Sequence, residues 1–177
     1  MDIEKLKYPI GKFRYPEEAT EQVIRKWAGD IKDFPKLLLP EVKGLSDAQL
    51  EWKYRPGSWT LRQLIHHCAD SHMNALFRFK LALTEDIPNI KAYDQDKWAQ
   101  LPDTKLPIGV SLQILEGIHA RWSVILDRLS YKDFQKEFFH PEHTRTFSLM
   151  QTVANYSWHC RHHLEHVRQG IKSKGSY

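Results

Sequence analysis

Four histidines lie close together near the C-terminus of the 177-residue chain: His159, His162, His163 and His166. His159 and His163 are four residues apart, as are His162 and His166, and neither proline nor glycine interrupts the segment. Side chains at this spacing share one face of an α-helix, and neutral imidazole is a common ligand of divalent metals. Either pair could therefore chelate one metal ion.

A second group of histidines, His66, His67 and His72, lies in another segment of strongly helical character. If one of them faces the C-terminal pair, two helices supply a three-histidine site. Three neutral imidazoles leave a coordination position open, where the ion can lower the pKa of a bound water to about 7 or deprotonate a thiol. The histidine pattern therefore favours metal-dependent chemistry.

Apolar residues at helical spacing predict four long helices that would position these histidines. The first begins at Thr20 and Glu21, and Pro35 either kinks it or ends it before residues 36–39. The others run from about Thr60 to Glu85, from about Ser111 to Leu129 and from about Ser148 to Lys172. Such helices predict an all-α four-helix bundle, formed as a single domain by residues 1–177.

The remaining segments are less regular and contain several prolines. Residues 1–18 are expected to form an extended lead-in. Residues 89–107 are too irregular for a helix, but their aromatic residues Tyr93 and Trp98 could cover a cleft as a lid. Residues 138–147 predict a short hairpin or an ordered loop before the last helix.

A helical wheel indicates which histidines of the last helix face the core. At about 100° per residue, His163 lies about 60° from the centre of the apolar stripe, His159 about 100°, His166 about 120° and His162 about 160°. His159 and His163 are therefore expected to flank the core and His162 to face solvent. His166 is expected to lie behind the pair, where it could hydrogen-bond to a ligand.

The pattern of the second long helix does not decide which of its histidines is the third ligand. Its apolar stripe places His72 near the centre and leaves His66 and His67 well off it, so periodicity alone favours His72. However, the face that carries ligands need not be the most apolar face of a helix. Cys68 and Cys160 also lie on apolar stripes, where small core residues are expected rather than ligands or nucleophiles.

The composition argues against several other classes of protein. A hydrophobic fraction of 41% and an aromatic fraction of 12% indicate a folded domain. The net charge is +4, but Lys and Arg are scattered among Asp and Glu, so nucleic-acid binding is not expected. No segment is apolar enough for a signal peptide or a membrane span, and two cysteines imply no disulfide framework, so a cytoplasmic protein is expected.

Two histidine-bearing segments, residues 57–74 (GSWTLRQLIHHCADSHMN) and residues 158–166 (WHCRHHLEH), carry a family resemblance. The first is similar to the second-helix signature of the DinB/YfiT-like family of metal-dependent hydrolases, and the second is similar to the last helix of that family. Further similarity to the YfiT-like branch lies at residues 8–11, 78–81, 93–94, 119–122 and 139–141. The resemblance covers nearly the whole chain.

This resemblance implies a DinB-type four-helix bundle, often a homodimer, with one divalent ion held by three histidines. The first ligand of the family is the histidine eight residues after the tryptophan that opens the helix, which is His67 here. The other two ligands fall on His159 and His163. The resemblance thus favours His67 over His72. Where the family commonly has glutamine, three residues beyond the last ligand, this chain has His166, which could compete as a ligand.

The expected function is that of a metal-dependent enzyme acting on a small molecule. The family is named for hydrolysis, and related bundles are S-transferases that use a low-molecular-weight thiol such as bacillithiol. No carboxylate is conspicuously placed as a general base, which favours metal-activated thiol transfer. Zinc is the expected metal, with nickel, iron and manganese as alternatives. The alternative function is a metal-binding or stress-response module without turnover.

Overall fold

The computed structural model describes residues 2–177 and contains four long helices. These are α2 (Glu21–Val42), α4 (Leu61–Thr84), α6 (Gly109–Arg128) and α7 (Leu149–Ser173). Three of them begin next to a hydroxyl-bearing residue. The side chains of Thr20, Thr60 and Ser148 accept a hydrogen bond from a backbone N–H in the first turn of α2, α4 and α7, respectively.

Packing of the long helices confirms the four-helix bundle. Helices α2 and α4 each contact both α6 and α7, so α2 and α4 lie diagonally across the bundle. Large side chains fill its centre and are almost completely buried, among them Ile24, Phe34, Leu64, Phe79, Trp122 and Leu126. Within residues 2–177, no helix is both long and apolar enough to cross a membrane.

Helix α2 contains two prolines but is not broken by them. It continues through Pro35 and Pro40 to Val42, so the alternative in which Pro35 ends the helix is wrong. Because proline has no N–H, the carbonyl of Ile31, four residues before Pro35, lacks its usual helical partner. The carbonyl instead accepts a hydrogen bond from Nδ1 of His119 on α6, at 2.6 Å.

Short helices occur where none was expected. Helix α1 (Ile3–Lys7) lies in the lead-in expected to be extended, and helix α5 (Gln95–Trp98) lies in the connection expected to be irregular. Each is capped by an aspartate, Asp2 or Asp94, which accepts a hydrogen bond from the first turn. The two expectations are wrong for these segments because a local cap can hold one turn of helix. A further short helix, α3 (Asp47–Leu50), lies where the sequence does predict a turn of helix, at residues 46–51, and 3-10 turns occur at Pro102–Lys105 and Asp133–Gln135.

The hairpin predicted before the last helix is confirmed. Strands β1 (Glu137–His140) and β2 (Arg145–Ser148) pair antiparallel, with Phe138 opposite Phe147. The hairpin also fixes the connection that follows α4, because the N–H of Phe139 donates to Pro88 at 2.9 Å and its carbonyl accepts from Ile90 at 3.1 Å. Residues 92–96 are thereby held beside α4 and α7.

Candidate metal centre

Three predicted ligands meet between α4 and α7. His67 comes from α4, and His159 and His163 come from successive turns of α7. One ring nitrogen of each lies within 4.8 Å of those of the other two. The Nε2 atoms of His159 and His163 are 3.1 Å apart. This separation is close to the value of about 3.3 Å for two ligands of a tetrahedral zinc ion.

The three imidazoles are neutral near neutral pH. Burial lowers the pKa of His67 to about 4. Burial, followed by the neighbouring imidazoles, holds the pKa of His159 and of His163 well below the usual value of histidine. A neutral ring keeps a lone pair available, and this is the form that binds metals. The protonation and convergence of these nitrogens therefore fit a divalent ion.

The three histidines line a cavity of about 590 Å³, which we call the metal cavity. Its wall also includes the turn between α3 and α4 and the residues Lys7 and Tyr8 of the N-terminal segment. Among the described residues of this wall, Asp96 is the only carboxylate, and it is exposed. The metal cavity thus has no buried carboxylate that could serve as a general base.

The connection predicted as a lid borders the candidate site. A second cavity, of about 760 Å³, reaches His159 from another direction and is lined by Tyr93. Gln95 and Asp96 line both cavities. Trp98 packs on Tyr93 with ring centroids 4.4 Å apart, so it supports the cavity wall from behind.

A chain of hydrogen bonds connects the candidate site to α2. The carbonyl of Ile31 binds Nδ1 of His119 at 2.6 Å, and Nε2 of His119 lies 2.7 Å from Nδ1 of His72. Nε2 of His72 in turn lies 3.1 Å from Nδ1 of His159. The four residues belong to the four different long helices. We call these three rings the histidine chain.

The histidine chain assigns a tautomer to each of its rings. A carbonyl only accepts, so Nδ1 of His119 carries a proton and Nε2 of the neutral ring accepts. His72 must then donate through Nδ1 and accept through Nε2 from the Nδ1–H of His159. This leaves Nε2 of His159 unprotonated and facing His163. His72, which periodicity favoured as a ligand, is therefore placed as the partner of His159 and lies outside the three-histidine group.

Burial keeps His72 and His119, the two inner rings of the histidine chain, uncharged and shielded from solvent. His72 is 0% exposed and His119 is 2% exposed. Burial lowers the pKa of His119 to about 4 and that of His72 well below its usual value. The ring of Phe34 packs against both, with centroids 5.2 Å and 5.7 Å away. Since water cannot replace these hydrogen bonds, losing one would leave a buried polar atom unpaired, at a cost of about 1–3 kcal/mol.

His162 contradicts its sequence-based expectation. It was expected to face solvent, yet it is buried, because Trp158 stacks on it with ring centroids 4.1 Å apart. Trp158 is held in turn by a hydrogen bond from its Nε1 to the carbonyl of Gly11 at 3.0 Å. The N-terminal segment therefore covers this face of α7, which a wheel of one helix does not reveal.

His162, His163 and His166 form a second group whose ring nitrogens also lie within 4.8 Å of one another. Nε2–H of His166 donates to the carbonyl of Leu6 at 3.2 Å, so its Nδ1 is unprotonated. That Nδ1 is buried and has no partner among the described residues. Because His163 belongs to both groups, His166 is placed where it could compete for an ion, as its position in the sequence suggested.

The remaining histidine of the second predicted cluster lies elsewhere. His66 donates through Nε2 to the carbonyl of Leu106 at 3.1 Å, and its Nδ1 lies 2.7 Å from Oγ of Ser111. Cys68 and Cys160 are free and buried, and burial raises the pKa of both thiols well above the usual value. They are core residues, as their positions on the apolar stripes predicted.

The contact between Ile31 and His119 was not predicted from the sequence. Two signals for it are present in the sequence. Pro35 removes the N–H that would bind the carbonyl of Ile31, and His119 lies on the apolar stripe of the third long helix. Neither signal indicates that these two groups meet.

Comparison with known proteins identifies the family. The model of the DinB superfamily matches residues 31–167, which include all of α4 and α6, the second half of α2, most of α7 and the three-histidine group. The chain belongs to the DinB superfamily.

Relatives of this DinB-superfamily chain match it over nearly its whole length. A Bacillus cereus (strain 03BB102) protein named "Putative metal-dependent hydrolase" is 49% identical over 162 residues, which are 92% of this chain and 93% of the relative. A similarly named protein of Bacillus mycoides (strain KBAB4) is 47% identical, covering 93% of this chain and 95% of the relative.

A solved structure is similar in fold. YfiT from Bacillus subtilis, described as "a probable metal-dependent hydrolase with an unusual four-helix bundle topology", superposes with a TM-score of 0.92 at 37% identity. The superposition covers 97% of this chain and 98% of that chain. The DinB-superfamily bundle is therefore shared from end to end.

We expect replacement of His72 to weaken metal binding by this DinB-superfamily chain. The variant His72→Leu removes the acceptor for Nδ1–H of His159, and loss of such a partner typically lowers metal affinity about 10–100-fold. His72→Gln, which retains a donor and an acceptor, should lose less. Zinc affinity would be measured by competition with a chromophoric chelator, with the exposed His143→Leu as control. Unchanged affinity in folded His72→Leu would contradict the role of the histidine chain.

Proposed function

We propose that the protein is a metal-dependent enzyme in which His67, His159 and His163 hold one divalent ion. The observation that carries this proposal is the convergence of three neutral imidazoles on the wall of one cavity. An ion held there would lower the pKa of a bound water to about 7 or ionise a bound thiol. Zinc is the first choice, and nickel, iron and manganese also suit imidazole ligands.

The protein's own residues would orient and shield this site. His72 would fix the ring of His159 so that Nε2 faces the ion, with His119 and the carbonyl of Ile31 fixing His72. Trp59 packs against His67 with ring centroids 4.7 Å apart and would limit its rotation. Such preorganisation reduces the cost of assembling the site when the ion binds.

The names of the relatives support hydrolysis, whereas the wall of the metal cavity supports thiol transfer. A thiol that loses its proton on binding an ion needs no carboxylate base, and this wall has only the exposed Asp96. We therefore favour transfer of a low-molecular-weight thiol, such as bacillithiol, to a small electrophilic substrate. Hydrolysis by a metal-bound water is the alternative reaction. A homodimer and a small-molecule substrate are also part of the proposal.

A module that binds metal without turnover is the second candidate. The observation that favours it is the overlap of two histidine groups at His163, which offers more donors than one catalytic ion needs. Elemental analysis of the purified protein, followed by a turnover screen, separates the two candidates. Metal uptake without turnover under any condition would favour the binding module.

We expect His163→Ala to lose the metal and the activity while keeping its fold. His163 belongs to both histidine groups, so no complete group remains. The apolar core, rather than an ion, holds the four long helices together. Metal content by mass spectrometry and helicity by circular dichroism test this, with His143→Ala as control. A loss of helical signal at room temperature would instead make the metal structural.

Turnover with and without thiol, measured across pH, distinguishes the two reactions. A thiol transferase should require the thiol and remain active well below the free thiol pKa of about 8.5, since the ion ionises the thiol. A hydrolase should cleave an ester or amide without thiol, and its activity should rise as the bound water ionises near pH 7. Hydrolysis that is independent of thiol would overturn the preference for transfer.

We expect Trp98→Ala to impair substrate use without changing the metal content. Trp98 supports Tyr93 in the wall of the second cavity, but neither residue belongs to a histidine group. The measurement is the KM of whichever reaction the screen identifies, alongside metal content. An unchanged KM would remove the segment around Trp98 from the substrate site.

A further inference from the structure

The metal cavity has an excess of positive charge. Its wall contains two basic side chains, Lys7 and Arg55, against one carboxylate, Asp96. A divalent ion on the three-histidine group would add two further positive charges. The cavity is therefore suited to a ligand that carries negative charge.

The side chain of Arg55 has few polar partners. Its Nη1 donates to the carbonyl of Pro56 at 3.2 Å, whereas its Nε is buried and has no partner among residues 2–177. Arg55 forms no ion pair with any residue from 2 to 177. Buried charged groups are normally paired, and the guanidinium offers a planar fork that matches a carboxylate. Arg55 thus has unused capacity to bind an anion.

The local structure holds Arg55 beside α7. The backbone N–H of Arg55 donates to Oγ of Ser58, and its carbonyl accepts from the N–H of Ser58 at 3.1 Å, which closes a turn. Gly57 completes this turn with a φ of 68°, a conformation that favours glycine. The preceding residue, Tyr54, stacks on His166 with ring centroids 4.3 Å apart. Arg55 therefore lines the cavity from a fixed backbone.

The position of Arg55 relative to α7 follows from the wall of the metal cavity. Arg55 lines the same wall as His159 and His163, the α7 residues that supply two of the three proposed ligands. An anion bound at Arg55 would lie in the same cavity as the ion.

Lys7 approaches the cavity from the N-terminal segment. The position of this segment is fixed because the carbonyl of Leu6 accepts hydrogen bonds from His166 and from Gln169, each at 3.2 Å. The ammonium of Lys7 is 3.7 Å from the exposed Glu4, a contact of little energetic weight. Lys7 is consequently free to turn toward a ligand in the cavity.

We propose that the substrate is a small molecule bearing a carboxylate, which Arg55 binds while the reacting group of the substrate meets the metal. Lys7 adds a second, weaker attraction. This inference rests on the proposed function, since it requires an ion at the three-histidine group. The second cavity is a poorer site for an anion because its wall has one basic side chain, Arg78, against the carboxylates of Asp94, Asp96 and Glu142.

The test uses the metal-loaded protein and hydroxamate probes. Hydroxamates bind metal ions directly, so the test does not require knowledge of the reaction that the protein catalyses. Acetohydroxamate has no charged tail, whereas the monohydroxamates of malonate, succinate and glutarate carry a carboxylate at increasing distance. Dissociation constants would be measured by isothermal titration calorimetry. We expect at least one carboxylate probe to bind the wild type at least about tenfold more tightly than acetohydroxamate, as one charge-assisted hydrogen bond would provide.

Variants test whether Arg55 causes the preference for carboxylate probes over acetohydroxamate. Arg55→Gln should abolish this preference. Arg55→Lys should retain part of it, because lysine keeps the positive charge but lacks the planar fork of the guanidinium. Lys7→Gln should reduce it less than Arg55→Gln. The control is Arg121→Gln, which removes a charge from an exposed site on α6 outside the cavity. Unchanged metal content in Arg55→Gln would verify that the variant is folded.

Each outcome supports or contradicts the inference. Equal binding of all probes to the metal-loaded wild type would overturn the carboxylate site and leave the proposed metal function intact. A preference that persists in Arg55→Gln would overturn the role of Arg55. A protein that takes up no divalent ion would contradict the proposed function and, with it, this inference. Loss of the preference in Arg55→Gln alone, with Arg121→Gln unchanged, would support it.

Discussion

The carbonyl of Ile31 is the fixed end of a hydrogen-bonded chain that passes through all four long helices. It is available because Pro35 has no N–H to offer, and His119 takes the vacant place at 2.6 Å. From there the protons of His119, His72 and His159 can be arranged in only one way, provided that the rings are neutral. Packing of the four helices therefore also selects the tautomer of His159 whose Nε2 is unprotonated.

The N-terminal segment and the turn before α4 complete the surroundings of the candidate site. The carbonyl of Leu6 binds His166, and the carbonyl of Gly11 binds Trp158, so the lead-in lies along a face of α7 that would otherwise be solvated. The turn at Arg55 forms another part of the wall of the metal cavity. Together these segments help to bury His162, His163 and His166, and burial holds the pKa of His163 well below its usual value.

Membership of the DinB superfamily and the chemistry of the site point in the same direction. The relatives are named for metal-dependent hydrolysis, and the buried neutral imidazoles offer the nitrogen donors that such chemistry needs. Hydrolysis and thiol transfer would differ in whether water or a thiol occupied the coordination position that three histidine ligands leave open on the ion. The charge on Arg55 bears on the substrate and not on this choice.

The sequence by itself predicted the four long helices and their bundle, and helix spacing placed His159 and His163 on one side of the last helix. Caps at Thr20, Thr60 and Ser148 depend on contacts within one turn, and the spacing of His159 and His163 depends only on helix geometry, so both could be predicted locally. His67 was favoured over His72 by family resemblance alone. Only the tertiary structure decided that His72 hydrogen-bonds to His159 and that His162 is buried, because each outcome depends on a side chain or backbone group that comes from a different helix or from the N-terminal segment.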